Sequence, residues 1–106
     1  MTAERREVRA TASLFEDLDR QLGSQRGPNG EPSRTDFQAF ELLEIVETFA
    51  TRFDHLPELI PGRPDYRILI AAGKLIRAYT VIGQLAPDGA AELIALDMDT
   101  SGGSRP

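Results

Sequence analysis

The sequence predicts an α+β fold: a short first strand, a helical hairpin, and then a three-stranded antiparallel meander with both helices on one face of the sheet. Two segments in the first half of the chain repeat apolar residues every three or four positions, as amphipathic helices do. After residue 64 the pattern changes to short runs rich in Ile, Val, Tyr and Thr, separated by Gly-containing breaks. Because the helical and strand patterns are segregated along the chain, they indicate an α+β rather than an alternating α/β protein.

The opening residues predict the first strand and the first helix. Val8 and Ala10 alternate with charged neighbours and indicate a short strand. Ser13 and Glu16 have the spacing of a capping box, which predicts a helix over Ser13–Leu22. Three leucines at helical spacing give this helix a narrow buried stripe: Leu14, Leu18 and Leu22.

Residues 24–33, with the sequence SQRGPNGEPS, predict a flexible loop. They hold two prolines, two glycines and an Asn-Gly pair, which are typical of turns and loops. The segment is longer than most connections between two packed helices. We therefore expect either a mobile insertion that folding does not need or a loop with a functional role.

The second helix is predicted over Thr35–Asp54, with Thr35 and Gln38 as its capping box. Its apolar residues advance by three or four positions and predict one buried face: Phe37, Phe40, Leu43, Val46, Phe49, Ala50 and Phe53. Three glutamates recur on the opposite side and are expected to face solvent: Glu41, Glu44 and Glu47. His55, the only histidine, is expected to cap the helix end or face solvent rather than act as a general base.

The second half of the chain predicts three strands. A hairpin is expected over Tyr66–Ala71 and Leu75–Ile82, with Gly73 at the positive φ of a tight connection. A Pro-Asp-Gly turn then predicts a reversal in which Gly89 has a positive φ. The last strand is expected over Glu92–Met98.

Length and composition limit the class of protein. The chain of 106 residues is expected to form one domain over residues 1–98, followed by a disordered tail over residues 99–106. It has no cysteine, which excludes a disulfide, a thiolate nucleophile and a Cys-ligated metal, and we expect no metal or cofactor. A net charge of −5 argues against a nucleic-acid binder that uses its whole surface. Neither a signal peptide nor an apolar run of membrane-helix length is present, so we expect a cytoplasmic protein without membrane association.

Positive charge is concentrated on the predicted hairpin. Arg63, Arg67, Lys74 and Arg77 have only one acidic neighbour in this stretch, Asp65. In an acidic protein such a group is suited to an anionic target, or to the acidic segment of a partner that mimics one. We therefore predict that these four cations form one binding site for such a target or partner. The alternative is that they protect an edge strand or pair with acids of the next strand.

The hairpin and its surroundings resemble the RelE/ParE superfamily of toxins from bacterial toxin–antitoxin modules. The resemblance depends on Gly-Arg-Pro-Asp-Tyr-Arg-Ile at residues 62–68, Arg-Ala-Tyr at residues 77–79, and the last strand Glu-Leu-Ile-Ala-Leu at residues 92–96. The predicted order of elements also resembles that of the family. The resemblance implies a bacterial, cytoplasmic toxin that a cognate antitoxin protein holds inactive. It also implies that the four cations form a target- or antitoxin-binding site: Arg63, Arg67, Lys74 and Arg77.

The resemblance implies one of two modes of action, a gyrase-poison-like binding or a metal-free cleavage of mRNA on the ribosome. In the cleaving mode, Arg67 would hold the phosphate and Lys74 or Arg77 would stabilise the developing charge. Tyr79 or His55 would take part in proton transfer or base stacking. Arg77 stands two residues before Tyr79, whereas the family's basic residue usually stands three before, and this favours the binding mode. A non-catalytic binding or regulatory module with the same fold is the alternative.

Overall fold

The computed structural model describes residues 5–28 and 30–99 and has an α+β fold built on one four-stranded sheet. The elements in chain order are β1 (Val8–Ala10), α1 (Ala12–Gln21), α2 (Arg34–Phe37), a π-helical segment (Gln38–Leu42), α3 (Leu43–Arg52), a 3-10 turn (Phe53–His55), β2 (Tyr66–Ala71), β3 (Ala78–Leu85) and β4 (Ala91–Asp99). Of the tail expected over residues 99–106, Asp99 belongs to β4 and the rest lies outside the described residues.

The sheet is mixed, with the strand order β1-β4-β3-β2. β2, β3 and β4 pair antiparallel in sequence order. β1 lies beside β4 as a parallel strand, so the prediction of a three-stranded antiparallel sheet is correct only in part. A parallel pair needs a long crossover connection, and the helices and strands between β1 and β4 supply it.

Helix α1 packs on β4 and covers the part of its edge that β1 leaves free. The N–H groups of Leu96 and Met98 donate to the side chains of Asp17 and Gln21, at 3.0 and 2.7 Å. These side chains take the place of a neighbouring strand, which closes this edge of the sheet to further strands. The leucines of α1 are buried as predicted: Leu14, Leu18 and Leu22.

Both helices begin one residue before the predicted positions, and their N-cap residues lie two residues before the predicted caps. Thr11 caps α1, because its side chain accepts a hydrogen bond from the N–H of Leu14. Ser33 and Asp36 form the capping box of α2. Thr11 and Ser33 both have the extended backbone that an N-cap requires, and this selects them over the hydroxyl residues that follow.

The π-helical segment Gln38–Leu42 changes the side of the second helix that faces the core. A π turn holds more residues than an α turn and therefore rotates the residues that follow. The predicted buried face is wrong in part, since Phe40 is 51% exposed and Leu43 is 67% exposed. The residues that do face the core are four positions apart: Phe37, Glu41, Ile45, Phe49 and Phe53.

The loop at residues 24–33 contacts α2 through Arg26, whose guanidinium donates to Asp36 at 2.8 and 3.3 Å. Within the loop, the N–H of Gly27 donates to the carbonyl of Glu31 at 2.9 Å. Asn29 lies outside the described residues. That folding does not need this loop stays a prediction.

The connection between β2 and β3 is longer than predicted. β3 begins at Ala78 rather than at Leu75, so residues 72–77 form the hairpin loop. Gly73 does not have the expected positive φ, whereas Gly89 does, with a φ of 90°. Gly73 is needed for a different reason, the close approach of a side chain described below.

Candidate binding site around the β2–β3 hairpin

The hairpin does not bring its four cations together. Arg63 and Arg67 lie at the beginning of β2, whereas Lys74 and Arg77 lie in the loop at its other end. A strand advances about 3.3 Å per residue, so Arg67 is already ~13 Å from Ala71, the last residue of β2. The two pairs of cations therefore lie in different surroundings.

Arg67 holds the chain segment that leads into β2. Its Nε donates to the carbonyl of Pro64 at 2.8 Å, and its Nη1 donates to the carbonyls of Leu56 and Asp54 at 2.7 and 3.3 Å. The guanidinium also lies 5.6 Å from the centroid of the Phe53 ring. Arg67 would have to give up these hydrogen bonds to hold a phosphate.

Arg63 pairs with Asp65, with distances of 3.1 Å from Nε to Oδ1 and 2.9 Å from Nη2 to Oδ2. Its guanidinium lies 4.9 Å from the centroid of the Tyr66 ring. The hydrogen bonds raise the pKa of Arg63 and lower the pKa of Asp65. The charge at this end of the hairpin is therefore compensated locally.

Lys74 and Arg77 form exposed ion pairs at the loop end. Nζ of Lys74 lies 2.6 Å from Oε2 of Glu44, and this hydrogen bond raises the pKa of Lys74. Nε of Arg77 lies 3.9 Å from Oδ2 of Asp99. Exposed pairs of this kind contribute little to stability, so a binding partner can exchange them.

Tyr79 lies in the core rather than at the surface, with 5% of its area exposed. Burial raises the pKa of Tyr79, and the charges of Glu41 and Glu44 raise it further. A raised pKa keeps the phenol protonated and makes it a weaker general base. The surroundings of Tyr79 are those of a packing residue.

Neither a metal-ligand cluster nor a membrane-spanning helix is found in the part of the chain that the structure describes. Among these residues, no group of three or more His, Cys, Asp or Glu is placed to hold a metal ion. No helix within residues 5–28 and 30–99 is long and apolar enough to cross a membrane.

Comparisons with protein-family models, curated proteins and solved structures give no match for this chain. Its function has therefore to be inferred from the geometry of the hairpin and its surroundings.

Glu41, for which the sequence predicts a position in solvent, is buried beneath the hairpin loop, with 1% of its area exposed. Its Oε2 accepts a hydrogen bond from the N–H of Leu75 at 2.6 Å, whereas its Oε1 has no partner among the described residues. Gly73 permits this approach, because a Cβ there would lie 2.7 Å from Oε2. The spacing of four residues from Phe37 to Glu41 to Ile45 is the sequence signal that could have placed Glu41 in the buried stripe.

The helices pack on one face of the sheet, and we call the other the open face. The strand register places these residues on it: Tyr66, Ile68 and Ile70 of β2, Thr80, Ile82 and Gln84 of β3, and Glu92, Ala95 and Asp97 of β4. Ile68 and Ile82 at its centre are half-buried, and Ile70 is 69% exposed. The open face therefore combines an apolar centre with an acidic border along β4.

The edge of β2 is only partly covered. The N–H of Leu59 donates to the carbonyl of Tyr66 at 3.1 Å, and the N–H of Ile68 donates to the carbonyl of Pro57 at 3.0 Å. Because backbone groups alternate in direction along a strand, the N–H and the carbonyl of Ile70 point to the same outer side. Among the described residues no strand pairs with Ile70 on that side.

A cleft of about 350 Å³ lies near the start of β1, lined by residues that include Arg5, Arg6 and His55. Nη1 of Arg6 donates to the carbonyl of Gly89 at 2.9 Å. Nη1 of Arg5 donates to Oε1 of Glu47 at 2.7 Å. Because both arginines already have acceptors, the cleft is a weaker candidate for an anion site than its composition indicates.

Proposed function

We propose that this protein acts by binding a protein target on the open face of its sheet, as a toxin-like module that an antitoxin holds inactive. The open face carries this proposal, because it presents apolar residues of two strands on a sheet whose other face already packs on the helices. A contiguous apolar surface that the core does not use is typical of an interaction site. The resemblance to RelE/ParE toxins supports the class of partner.

The border of the open face favours a particular kind of partner. Glu92 and Asp97 of β4 lie on this face. Arg9, at 3.7 Å, compensates part of the charge of Glu92, whereas Asp97 has no ion pair among the described residues. Acidic groups repel a phosphate backbone, whereas they complement a protein surface with basic groups around an apolar centre. A gyrase-like protein target therefore fits the open face better than RNA does.

The geometry of the predicted catalytic residues favours binding over cleavage. Arg67 has carbonyl acceptors for its guanidinium, and Tyr79 is buried with a raised pKa. Arg77 lies at the other end of the hairpin from Arg67. A binding function needs none of these groups to react with a substrate.

A growth assay in bacterial cells tests the proposal, with the protein expressed with and without the reading frame next to its gene. We expect growth arrest from the protein alone and normal growth when the neighbour is co-expressed, because the neighbour would encode the antitoxin. Normal growth of cells that contain the folded protein alone would reject the toxin function. Cleaved mRNA in arrested cells would indicate the catalytic mode instead.

Two variants locate the target-binding surface in the same assay. Ile70→Asp places a charge on the open face at a side chain that is 69% exposed, so the fold should tolerate it. Ile60→Asp is the matched control, because Ile60 is an isoleucine that is 47% exposed and precedes β2. We expect Ile70→Asp to lose toxicity and Ile60→Asp to keep it, with circular dichroism confirming that both fold. Equal toxicity of the two variants would place the binding surface elsewhere.

A further inference from the structure

Among the described residues, Oε1 of Glu41 is the one buried side-chain nitrogen or oxygen atom that has no hydrogen-bond partner. The other oxygen of the same carboxylate accepts from the N–H of Leu75 at 2.6 Å. Buried polar atoms nearly always have a partner, so a missing donor needs an explanation. A donor supplied by another molecule would remove the unfavourable free energy of this unpaired oxygen.

The charges around Glu41 are also unbalanced, because two carboxylates lie near one lysine. Glu44 follows almost one helical turn later and pairs with Lys74 at 2.6 Å. Two carboxylates therefore share one lysine at this end of the helix. The pKa of Tyr79 is raised first by burial and then by both Glu41 and Glu44, which is consistent with excess negative charge here.

The cover over Glu41 is thin. The side chains of Glu44 and Lys74 are 57% and 61% exposed, so their ion pair can be exchanged. Leu75 is 44% exposed, whereas Ile76 is buried and anchors the loop in the core. The side chains of Lys74 and Leu75 can therefore turn outward, while Ile76 and the hydrogen bond from the N–H of Leu75 to Glu41 stay in place.

Exposed apolar side chains are present on the same stretch of the helix and on the loop. Phe40 and Leu43 are three residues apart on the same side of the helix, and they are 51% and 67% exposed. Each lies next in sequence to one of the two carboxylates, and Leu75 adds a third exposed apolar side chain from the loop. Carboxylates with exposed apolar side chains on the same helix and loop are complementary to a cation carried by an apolar segment.

We propose that Glu41 and Glu44 form a second binding site, which accepts an arginine from an apolar segment of a protein partner. The guanidinium replaces Lys74 at Glu44, and one of its N–H groups donates to Oε1 of Glu41 once the side chains of Lys74 and Leu75 have turned outward. Arginine suits the site better than lysine, because its planar fork of donors can contact both carboxylates at once. The apolar neighbours of that arginine rest on the three exposed apolar residues.

This site is independent of the toxin function. The hairpin loop and Glu41 lie on the helix side of the sheet, whereas the proposed target-binding surface is the open face. Binding measured directly on the purified full-length protein therefore succeeds or fails without reference to growth arrest.

The experiment is a titration of the nitrogen-15-labelled protein, followed by the amide signals of Gly73 and Leu75. The probe is a capped peptide of sequence Leu-Phe-Arg-Leu-Phe, compared with the same peptide carrying citrulline, which keeps the shape and loses the charge. We expect the arginine peptide to shift both amide signals and to bind about tenfold more tightly, as for one charge-assisted hydrogen bond. Equal affinity for the two peptides would overturn the proposal.

Glu41→Gln tests the unpartnered oxygen itself. Glutamine keeps one acceptor for the N–H of Leu75 and replaces the other oxygen with an NH₂ group that cannot accept. We expect the affinity for the arginine peptide to fall about tenfold. Glu47→Gln is the matched control, because Glu47 is 58% exposed on the same helix, and its affinity should equal that of the parent.

A second variant keeps the test decisive if Glu41→Gln does not fold. Leu43→Ser changes an exposed apolar side chain beside Glu44, and we expect it to weaken the binding of the arginine peptide. Unchanged affinity in Leu43→Ser would contradict the proposed apolar contacts. Dimerisation of the free protein that is lost in Glu41→Gln would assign the site to a second copy of this chain and would overturn the choice of partner.

Discussion

The ring of Phe49 lies directly on Gly83 of β3, so that a Cβ added at Gly83 would lie 2.5 Å from Cε1 of the ring. Phe49 is fully buried, with 0% of its area exposed. The register of β3 against β4 shifts between Ile82 and Gly83. The register skips Ile94, so β4 is the strand that bulges and bends here. Gly83 leaves space above β3, so the helix can approach the sheet closely. The closest approach described here between the second helix and β3 therefore depends on a glycine, Gly83.

Gly83→Ala should destabilise the protein by about 1–3 kcal/mol, the usual cost of overpacking a core. The added methyl group would have to displace the Phe49 ring, which is enclosed by other core residues. Gly23→Ala is the control, because a Cβ at Gly23 meets no atom closer than 3.7 Å. Urea denaturation measures the free energy of unfolding of both variants. Equal stability of the Gly83 variant and the parent would contradict this contact.

Phe49→Ala should lower the free energy of unfolding by about 3–5 kcal/mol, through lost burial and the cavity that remains. Phe40→Ala makes the same chemical change at a side chain that is 51% exposed. We expect this control to lose less than about 1 kcal/mol. If the two variants lost similar amounts of stability, the buried face of the second helix would be the one predicted from the sequence rather than the one observed.

The order of the elements can be predicted from the sequence, but the face of the second helix cannot. Phe37 and Phe49 are buried as the apolar pattern predicts, whereas Phe40 and Leu43 are exposed. Apolar residues spaced by both three and four positions are compatible with more than one face. The π-helical segment at residues 38–42 decides between them, and no local sequence signal marks it.

The charges of the candidate site could not be predicted because their partners are distant in sequence. Lys74 pairs with Glu44 on the helix, and Arg77 lies near Asp99 at the end of the last strand. Of the four hairpin cations, only Arg63 forms an ion pair with a close sequence neighbour, Asp65. A group of cations in one stretch of sequence is therefore not a group of free cations in space, since the fold supplies acids from other elements.

Asp36 should titrate at an unusually low pH. Hydrogen bonds from Arg26 and then from the N–H of Ser33 lower the pKa of Asp36 from 3.8 to about 2. Because the pKa is lower in the folded protein than in the unfolded chain, ionised Asp36 stabilises the fold fully above the unfolded value of 3.8, and this contribution is lost as the pH falls through about 2. A carbon-13 NMR titration of the Asp36 carboxyl group measures this pKa.

Arg26→Gln should raise the pKa of Asp36 towards its ordinary value, because it removes the largest cause of the shift. Arg20→Gln serves as the control, since Arg20 is an exposed arginine that pairs with Asp17 instead. An Asp36 pKa that did not change in Arg26→Gln would show that the loop does not hold Arg26 against α2.

Replacement of residues 24–32 by a short Gly/Ser linker should change the free energy of unfolding by little more than the loss of the Arg26–Asp36 pair, because the entropy of loop closure varies slowly with length. Ser33 is kept in this variant because it caps α2. The linker also removes Arg26, so the pKa of Asp36 should rise as it does in Arg26→Gln. A cooperative loss of structure on shortening would show that the loop packs on the domain.

Arg67 and Arg77, which the sequence places in one cationic site, should differ in their effect on stability. Arg67→Ala leaves the carbonyls of Pro64, Leu56 and Asp54 without their donors, and we expect a loss of about 1–3 kcal/mol. Nε of Arg77 lies 3.9 Å from Asp99 in an exposed pair, so Arg77→Ala should stay within about 0.5 kcal/mol of the parent. Urea denaturation of the two variants, under identical conditions, measures the difference.

The expected difference in stability between the Arg67 and Arg77 variants decides which residue is changed to test the hairpin charge in the growth assay. A double reversal of Arg67 and Arg77 would mix a loss of fold with a loss of binding, because Arg67 holds the segment before β2. Arg77→Glu alone changes an exposed charge, at a side chain that is 64% exposed. With the target on the open face, we expect folded Arg77→Glu to arrest growth as the parent does. Loss of arrest in this folded variant would instead assign the target to the loop end of the hairpin, where Lys74 and Arg77 lie.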